Sequence, residues 1–301
     1  MSAADTTEPI RLPTRDTAGH KGTFGTLCVI GGCARAETPM IGAPALSARA
    51  AFRSGCGLVR LAMPRPVLIS GLQLEPSATG IGIEVDELGN PFATDALQSR
   101  VRESDALVLG PGLGAERTRE HHIARFVESC IGLGLPAVVD ADGLNALASG
   151  GSFSKVDLSR CILTPHPGEY ARLAKARGIP SDPTSPDERP AAAAALARSL
   201  RCVVVLKGAH TVVSDGERHW ICNHGHACMA TAGTGDVLAG LIGSLIAQLR
   251  NSDASLYEIA KLGVQAHALA GERWAQQSGT QAGMLARELA DLLPAVLEEM
   301  R

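Results

Sequence analysis

Six short, mostly apolar runs, at residues 26–30, 58–62, 105–109, 137–139, 161–163 and 202–206, constrain what this chain can fold into more than any other feature. Each has the length of a strand, and stretches with helical spacing of apolar residues separate most of them. Strands that are apolar on both faces belong to a sheet covered on both sides, as a parallel sheet with helical crossovers is. The fold class that follows is α/β with a central, mainly parallel sheet. A helix is expected at about 42–54, and another at 191–200 after the proline-rich loop 180–190. Residues 211–221 read as a β-hairpin turning at Asp215-Gly216, and from Asp236 onward the pattern is helical. Residues 65–95 give the weakest signal and are expected to hold a hairpin or an irregular insertion. The polar residues 1–18 are expected to form a disordered tail, and residues 19–301 a single domain.

With 45% hydrophobic residues in 301, the chain can bury a large core. A net charge of −3 with scattered Lys and Arg lacks the basic footprint a nucleic acid requires, so no such partner is expected. The first 16 residues lack the apolar centre of a secretory signal. No run approaches the roughly 18 apolar residues of a membrane span, so no membrane partner is expected either. Several of the eight cysteines (Cys28, Cys161, Cys202) sit in apolar runs, where cysteine packs as a small hydrophobe. They read as reduced thiols of a cytoplasmic protein.

Five motifs carry chemistry. Gly233-Thr234-Gly235-Asp236 precedes apolar residues at 237, 238, 241, 242, 245, 246 and 249, the stripe of a helix. Its glycines open the backbone where free N–H groups and the positive end of the helix dipole form an anion hole. Asp236, in the first turn, either caps the helix or takes a proton from an attacking hydroxyl. Lys207-Gly208-Ala209-His210-Thr211 leaves a strand end, where a cation and an open backbone suit phosphate or ribose-bound oxygens, with Thr211 as a hydroxyl donor; otherwise it is an ordinary strand exit into a hairpin. Thr164-Pro165-His166-Pro167-Gly168-Glu169 presents His166 on a rigid turn or starts a helix with Pro167 as its first residue. Glu169 reads as a helix-terminal charge. In Asp140-Ala141-Asp142-Gly143-Leu144-Asn145 the two carboxylates point the same way if the segment is extended, towards a hydroxylated substrate or Mg²⁺; otherwise it is a turn into a helix. Gly110-Pro111-Gly112-Leu113-Gly114-Ala115 fits a dinucleotide-binding G-x-G-x-x-A pattern, with Pro111 unusual within it. Cys222, His224, His226 and Cys228 alternate, but their spacing is not that of the usual zinc sites, and no metal-ligating residues are assigned.

In this order, the five motifs resemble the ADP/ATP-dependent NAD(P)H-hydrate dehydratase family of the ribokinase-like superfamily. Lys21-Gly22-Thr23-Phe24-Gly25 and Gly42-Ala43-Pro44 extend the resemblance, which covers roughly residues 20–295. It implies a three-layer α/β/α ribokinase-like fold. It also implies dehydration of the S-epimer of hydrated NADH or NADPH, through transient phosphorylation of the ring hydroxyl by ADP or ATP with Mg²⁺. Carried over by motif, Ala43, Gly112, Gly114, Asp142, Asn145, His166 and Asp236 contact the hydrated dinucleotide. Lys207, Gly208, Ala209, His210, Thr211, Gly233, Thr234 and Gly235 contact the adenine nucleotide, and Asp236 is the base. A separate NAD(P)H-hydrate epimerase is the expected functional partner, because the chain has no room for the N-terminal epimerase domain of some members. A homo-oligomer, a tetramer, is expected on the same ground. The chain departs from the family at His224-Gly225-His226-Ala227-Cys228, where Thr-Gly-Asn-Pro-Gly is common, and at Ala286-Arg287-Glu288, where Ala-Ser-Asp is common. The competing readings are a ribokinase-like kinase of a vitamin or sugar, a nucleotide-sensing protein that needs no base, and a dehydrogenase.

Overall fold

A computed structural model of the protein describes residues 2–35, 37–114, 120–149 and 156–301. Among them the strands are β1 (Ala3–Ala4), β2 (Thr26–Ile30), β3 (Leu58–Pro64), β4 (Thr79–Val85), β5 (Pro91–Phe92), β6 (Ala106–Leu109), β7 (Ala137–Val139), β8 (Cys161–Leu163), β9 (Val203–Leu206), β10 (Val212–Ser214) and β11 (Arg218–Ile221). The helices are α1 (Gly42–Arg53), α2 (Arg65–Leu74), α3 (Asp95–Arg102), α4 (Glu120–Ile131), α5 (Asp142–Ser149), α6 (Pro167–Arg177), α7 (Arg189–Leu200), α8 (Thr234–Gln248), α9 (Leu256–Ser278) and α10 (Ala286–Glu299). One sheet orders the strands β1-β11-β10-β9-β8-β7-β6-β2-β3-β4-β5. From β9 to β4 neighbouring strands are parallel, and β10 and β5 are antiparallel to their neighbours.

The apolar runs are strands because both their faces are covered. One core packs α1, α8, α9 and α10 on the sheet, and a second packs α4 to α7 on the opposite face. Helix α8 is buried along Val237–Ala247 because small and apolar residues occupy every side of it. Gly240 lets α1 approach: a Cβ there would lie 2.1 Å from the Ser47 carbonyl oxygen. The parallel arrangement sends β2, β6, β7, β8 and β9 in one direction. The residues just beyond them, Gly31, Gly110, Asp140, Thr164 and Lys207, therefore gather at one edge of the sheet, where ligands of open α/β sheets bind.

Two sequence expectations need correction. Residues 2–12 are not a free tail: β1 pairs with β11, and Asp5 accepts hydrogen bonds from Lys261 Nζ at 2.8 Å and Tyr257 Oη at 3.0 Å. The buried Lys261 supplies the charge that orders this polar segment. Residues 65–95 hold the β4–β5 hairpin, but also α2, and β4 extends the parallel sheet. Strand β4 is hard to read because Gly80 and Gly82 interrupt it; side chains there would meet Leu72 and Arg65 within 3 Å. No helix of the described residues is long and apolar enough to cross a membrane.

Candidate active site

Lys207, beyond β9, is the hub of the site. Its Nζ donates to Asp140 Oδ1 at 2.7 Å and lies 3.8 Å from Glu169 Oε2. Thr164, following β8, donates its hydroxyl to the same Asp140 oxygen at 2.8 Å. Glycine is required before this aspartate's strand end is reached: a Cβ on Gly110 (φ +124°) would lie 1.9 Å from the Asp140 carbonyl oxygen. The first turn of α8 abuts the hub as well, since a Cβ on Gly235 would sit 3.3 Å from Lys207 Nζ and 4.0 Å from Asp140 Oδ2. Gly233 turns the chain into α8 at φ +92°.

Charge crowding sets the proton affinities. Burial pushes the Asp236 carboxyl up to about 7, and the negative charges of Asp140, Asp142 and Glu169 add to it against Lys207. Glu169 is also pushed up to about 7, by burial first and by Asp140, with Lys207 opposing. Burial would lower the Lys207 ammonium, but Asp140 and Glu169 outweigh it and raise the group. His166 is lowered by burial and then by Lys207 and Arg172. Its Nδ1 accepts the Gly168 N–H at 2.9 Å as the cap of α6, so the neutral ring carries its proton on Nε2. Glu169 returns the cap by accepting the His166 N–H at 2.8 Å, a pairing legible in its spacing.

The dinucleotide candidates lie over β6 and β7. Ala43 and Gly112 adjoin, a Cβ on Gly112 falling 3.6 Å from that of Ala43. The extended reading of residues 140–142 is corrected: Ala141 turns the chain at φ +49° and Asp142 opens α5. Asp142 instead accepts the Gly114 N–H at 2.8 Å and the Asn145 side-chain amide at 3.4 Å, fixing the loop after β6. Ala115, the last residue of that motif, lies outside the described residues.

Beside the start of α8, where Thr234, Gly235 and Leu238 line it, lies a cleft of about 570 Å³. It is lined by Lys207, Gly208, Ala209, His210, Thr211, Thr234 and Gly235 of the sequence-chosen set; Gly233 does not line it, and a Cβ there would meet Leu46 and Ala286. Thr211 does not present the expected hydroxyl donor, because its hydroxyl donates to Gly208 O at 2.9 Å. The Thr234 hydroxyl donates to Met229 O at 3.1 Å. The cleft also takes residues sequence reasoning missed, above all His267 of α9. Its Nε2 is 2.9 Å from the Thr234 carbonyl oxygen, and burial lowers its pKa to about 4, so it is a neutral donor there. Only its place in a long helix shows in sequence. Cys222 and Cys228 are buried and turn to the carbonyl oxygens of His224 and Gly271, separate partners.

The cleft lies beside a helix start and a lysine–carboxylate hub at the carboxyl edge of this sheet, and the fold is ribokinase-like. A ribokinase-like superfamily protein from Enterococcus faecalis V583 superposes with a TM-score of 0.78 at 23% identity, covering 96% of this chain and 92% of that one. The sequence profile described as NAD(P)H-hydrate dehydratase matches residues 27–295, and the chain belongs to that family. A bifunctional NAD(P)H-hydrate repair enzyme from Moorella thermoacetica is 36% identical over 296 residues, 96% of this chain and 52% of that protein. The chain thus spans about half the length of the first curated relatives it matches. An ADP-dependent (S)-NAD(P)H-hydrate dehydratase from Neisseria meningitidis serogroup B is 36% identical, over 94% of this chain and 88% of its own. An ADP/ATP-dependent NAD(P)H-hydrate dehydratase from Bacillus subtilis, co-crystallised with ATP/Mg²⁺ and soaked with CoA, is 25% identical with a TM-score of 0.72, covering 97% and 95% of the two chains.

Proposed function

We propose that this chain dehydrates the S-epimer of hydrated NADH or NADPH, using ADP or ATP as phosphoryl donor. The observation that carries this reading is Asp236: a buried carboxyl pushed up to about 7 in the first turn of α8, amid the charges of Asp140, Asp142, Glu169 and Lys207 and next in sequence to Thr234 and Gly235, which line the cleft. The adenine nucleotide occupies the cleft beyond Lys207. The hydrated ring is taken to lie towards Ala43, Gly112, Gly114, Asp142, Asn145 and His166, whose Nε2 is 3.5 Å from Glu169 Oε1. Asp236 takes the proton of the ring hydroxyl as its oxygen attacks the terminal phosphorus, whose bond to the nucleotide breaks so that AMP or ADP leaves. Lys207 and the N–H groups opening α8 hold the negative charge of the moving phosphoryl group. The carbon–oxygen bond then breaks, phosphate leaves with the ring oxygen, and a proton lost from the neighbouring carbon completes the double bond.

Mg²⁺ suits these residues as a companion of the nucleotide rather than as a caged ion. Among the described residues no three His, Cys, Asp or Glu side chains converge as a metal cage. Asp140 Oδ2 and Glu169 remain at the hub to take water ligands of a phosphate-bound ion, which keeps several waters. Such an ion supplies charge neutralisation to the phosphates. Assembly as a homo-oligomer (a tetramer), a cytoplasmic setting and functional pairing with a separate NAD(P)H-hydrate epimerase complete the proposal; the bifunctional repair enzymes among the relatives support the pairing, and the buried free thiols suit a reducing compartment.

The test is incubation with hydrated NADH or NADPH, Mg²⁺ and either ADP or ATP, following the absorbance of reduced nicotinamide. The expected result is recovery that requires nucleotide. A ribokinase-like vitamin or sugar kinase would leave the hydrate unchanged and accumulate a phosphate ester of another substrate.

A further inference from the structure

Helix α9 runs along the nucleotide cleft with Val264, His267 and Ala268 in its wall, and one turn further the same face reaches the loop 222–229. Gly271 gives that loop its seat: a Cβ there would lie 2.3 Å from Met229 Sδ. Cys228 Sγ meets the Gly271 carbonyl at 3.4 Å. Next to it, Glu272 clasps the loop, accepting the Gly225 N–H at 2.8 Å, with His224 Nδ1 3.3 Å from both carboxylate oxygens. The clasped loop puts His224 and His226 in the cleft wall with His210 and Lys207, and no described lining residue is Asp or Glu. His226 Nδ1 accepts the Cys228 N–H at 3.2 Å, which leaves the ring proton on Nε2.

We propose that His226 determines specificity for the polyphosphate part of the nucleotide, donating from Nε2 to a phosphate oxygen, and that Glu272 is the positioning residue that holds its loop. This rests on the reading that the cleft takes an adenine nucleotide. His226 shares the cleft lining with Lys207 and no described carboxylate, which suits a phosphate oxygen, whereas Leu238, Val264 and Ala268 supply apolar wall that suits the purine.

Titration calorimetry with adenosine, ADP and ATP, the last two with Mg²⁺, separates the cases. His226→Leu removes the donor and keeps an apolar wall of similar size; ADP and ATP affinity should fall about tenfold, the worth of one hydrogen bond to a charged group, with adenosine affinity unchanged. His226→Gln, which restores a donor, should recover most of the loss. Glu272→Ala should follow His226→Leu, and Glu272→Gln, which keeps an acceptor for Gly225, should lose less. Unchanged ADP binding in His226→Leu, or equal losses for ADP and adenosine, overturns the assignment. A wild-type protein that binds neither ADP nor ATP overturns the nucleotide reading itself, and this proposal with it.

Discussion

Asp236 sits in the first turn of α8 with its carboxyl pushed up to about 7 by burial and by the carboxylates around it. As a base it must be unprotonated, so turnover should rise as pH increases through about 7, and a pH–rate profile of kcat/KM reads that limb. Asp236→Asn should lower turnover by about 10²-fold or more while ADP still binds by calorimetry. The same shift has a stability consequence. A carboxyl whose folded pKa lies above its unfolded value favours the fold fully below the unfolded pKa, and that contribution is lost as pH rises through the folded pKa. Asp236→Asn should therefore melt higher than wild type at pH 8 and equal to it near pH 4 or below, by calorimetric scans. A variant with lower stability at pH 8 would mean that the carboxylate is well solvated. The sequence exposed Asp236, Lys207 and His166 because each stands beside glycine or proline at a strand end or helix start. It hid the pairing of Lys207 with Asp140, 67 positions away, and the role of His267, because nothing local marks which strand ends meet.

Helix α8 shows what holds that aspartate in place. The Ser47 hydroxyl of α1 donates to the Asp236 carbonyl oxygen at 2.8 Å, and at Gly240 the α1 backbone lies so near that a Cβ would meet Ser47 O. Alanine is favoured over glycine by about 1 kcal/mol inside a helix, so any net loss in Gly240→Ala measures crowding. A Cβ 2.1 Å from the backbone oxygen of Ser47 cannot be absorbed by a side-chain rotation, and a net loss of about 1–3 kcal/mol in urea unfolding is expected. Equal or greater stability would show that α1 and α8 can separate freely. The parallel strands were legible at this scale because burial on both faces leaves continuous apolar runs. Strand β4 and helix α2 were not, because Gly80 and Gly82 serve close packing against α2 and break the strand pattern.

Across the whole molecule, the N-terminal segment pairs with the edge strand β11 and is fastened to α9 through a buried charge pair. Lys261 is 2% exposed and is satisfied by Asp5 and by the Thr7 carbonyl and hydroxyl. Burial works to raise the Asp5 carboxyl, but Lys261, Thr7 and Tyr257 hold it well below the usual carboxylate range. Asp5→Ala strands the ammonium and should cost about 3 kcal/mol, whereas adding Lys261→Met should restore most of it. The Asp5 contribution is present above the unfolded carboxylate pKa and is lost only as pH falls through its lower folded value, so the Asp5→Ala deficit should shrink in strong acid. A polar tail reads as disorder in sequence because its partner, on α9, lies 256 residues away. The central claim, that a transient phosphate ester links the nucleotide cleft to the restored double bond, has a direct isotopic test. Hydrate labelled with ¹⁸O in the ring hydroxyl is turned over with ADP or ATP, and the label is located by mass spectrometry. Label in inorganic phosphate is the predicted result; label in water would contradict it, because the hydroxyl would then have left without being phosphorylated.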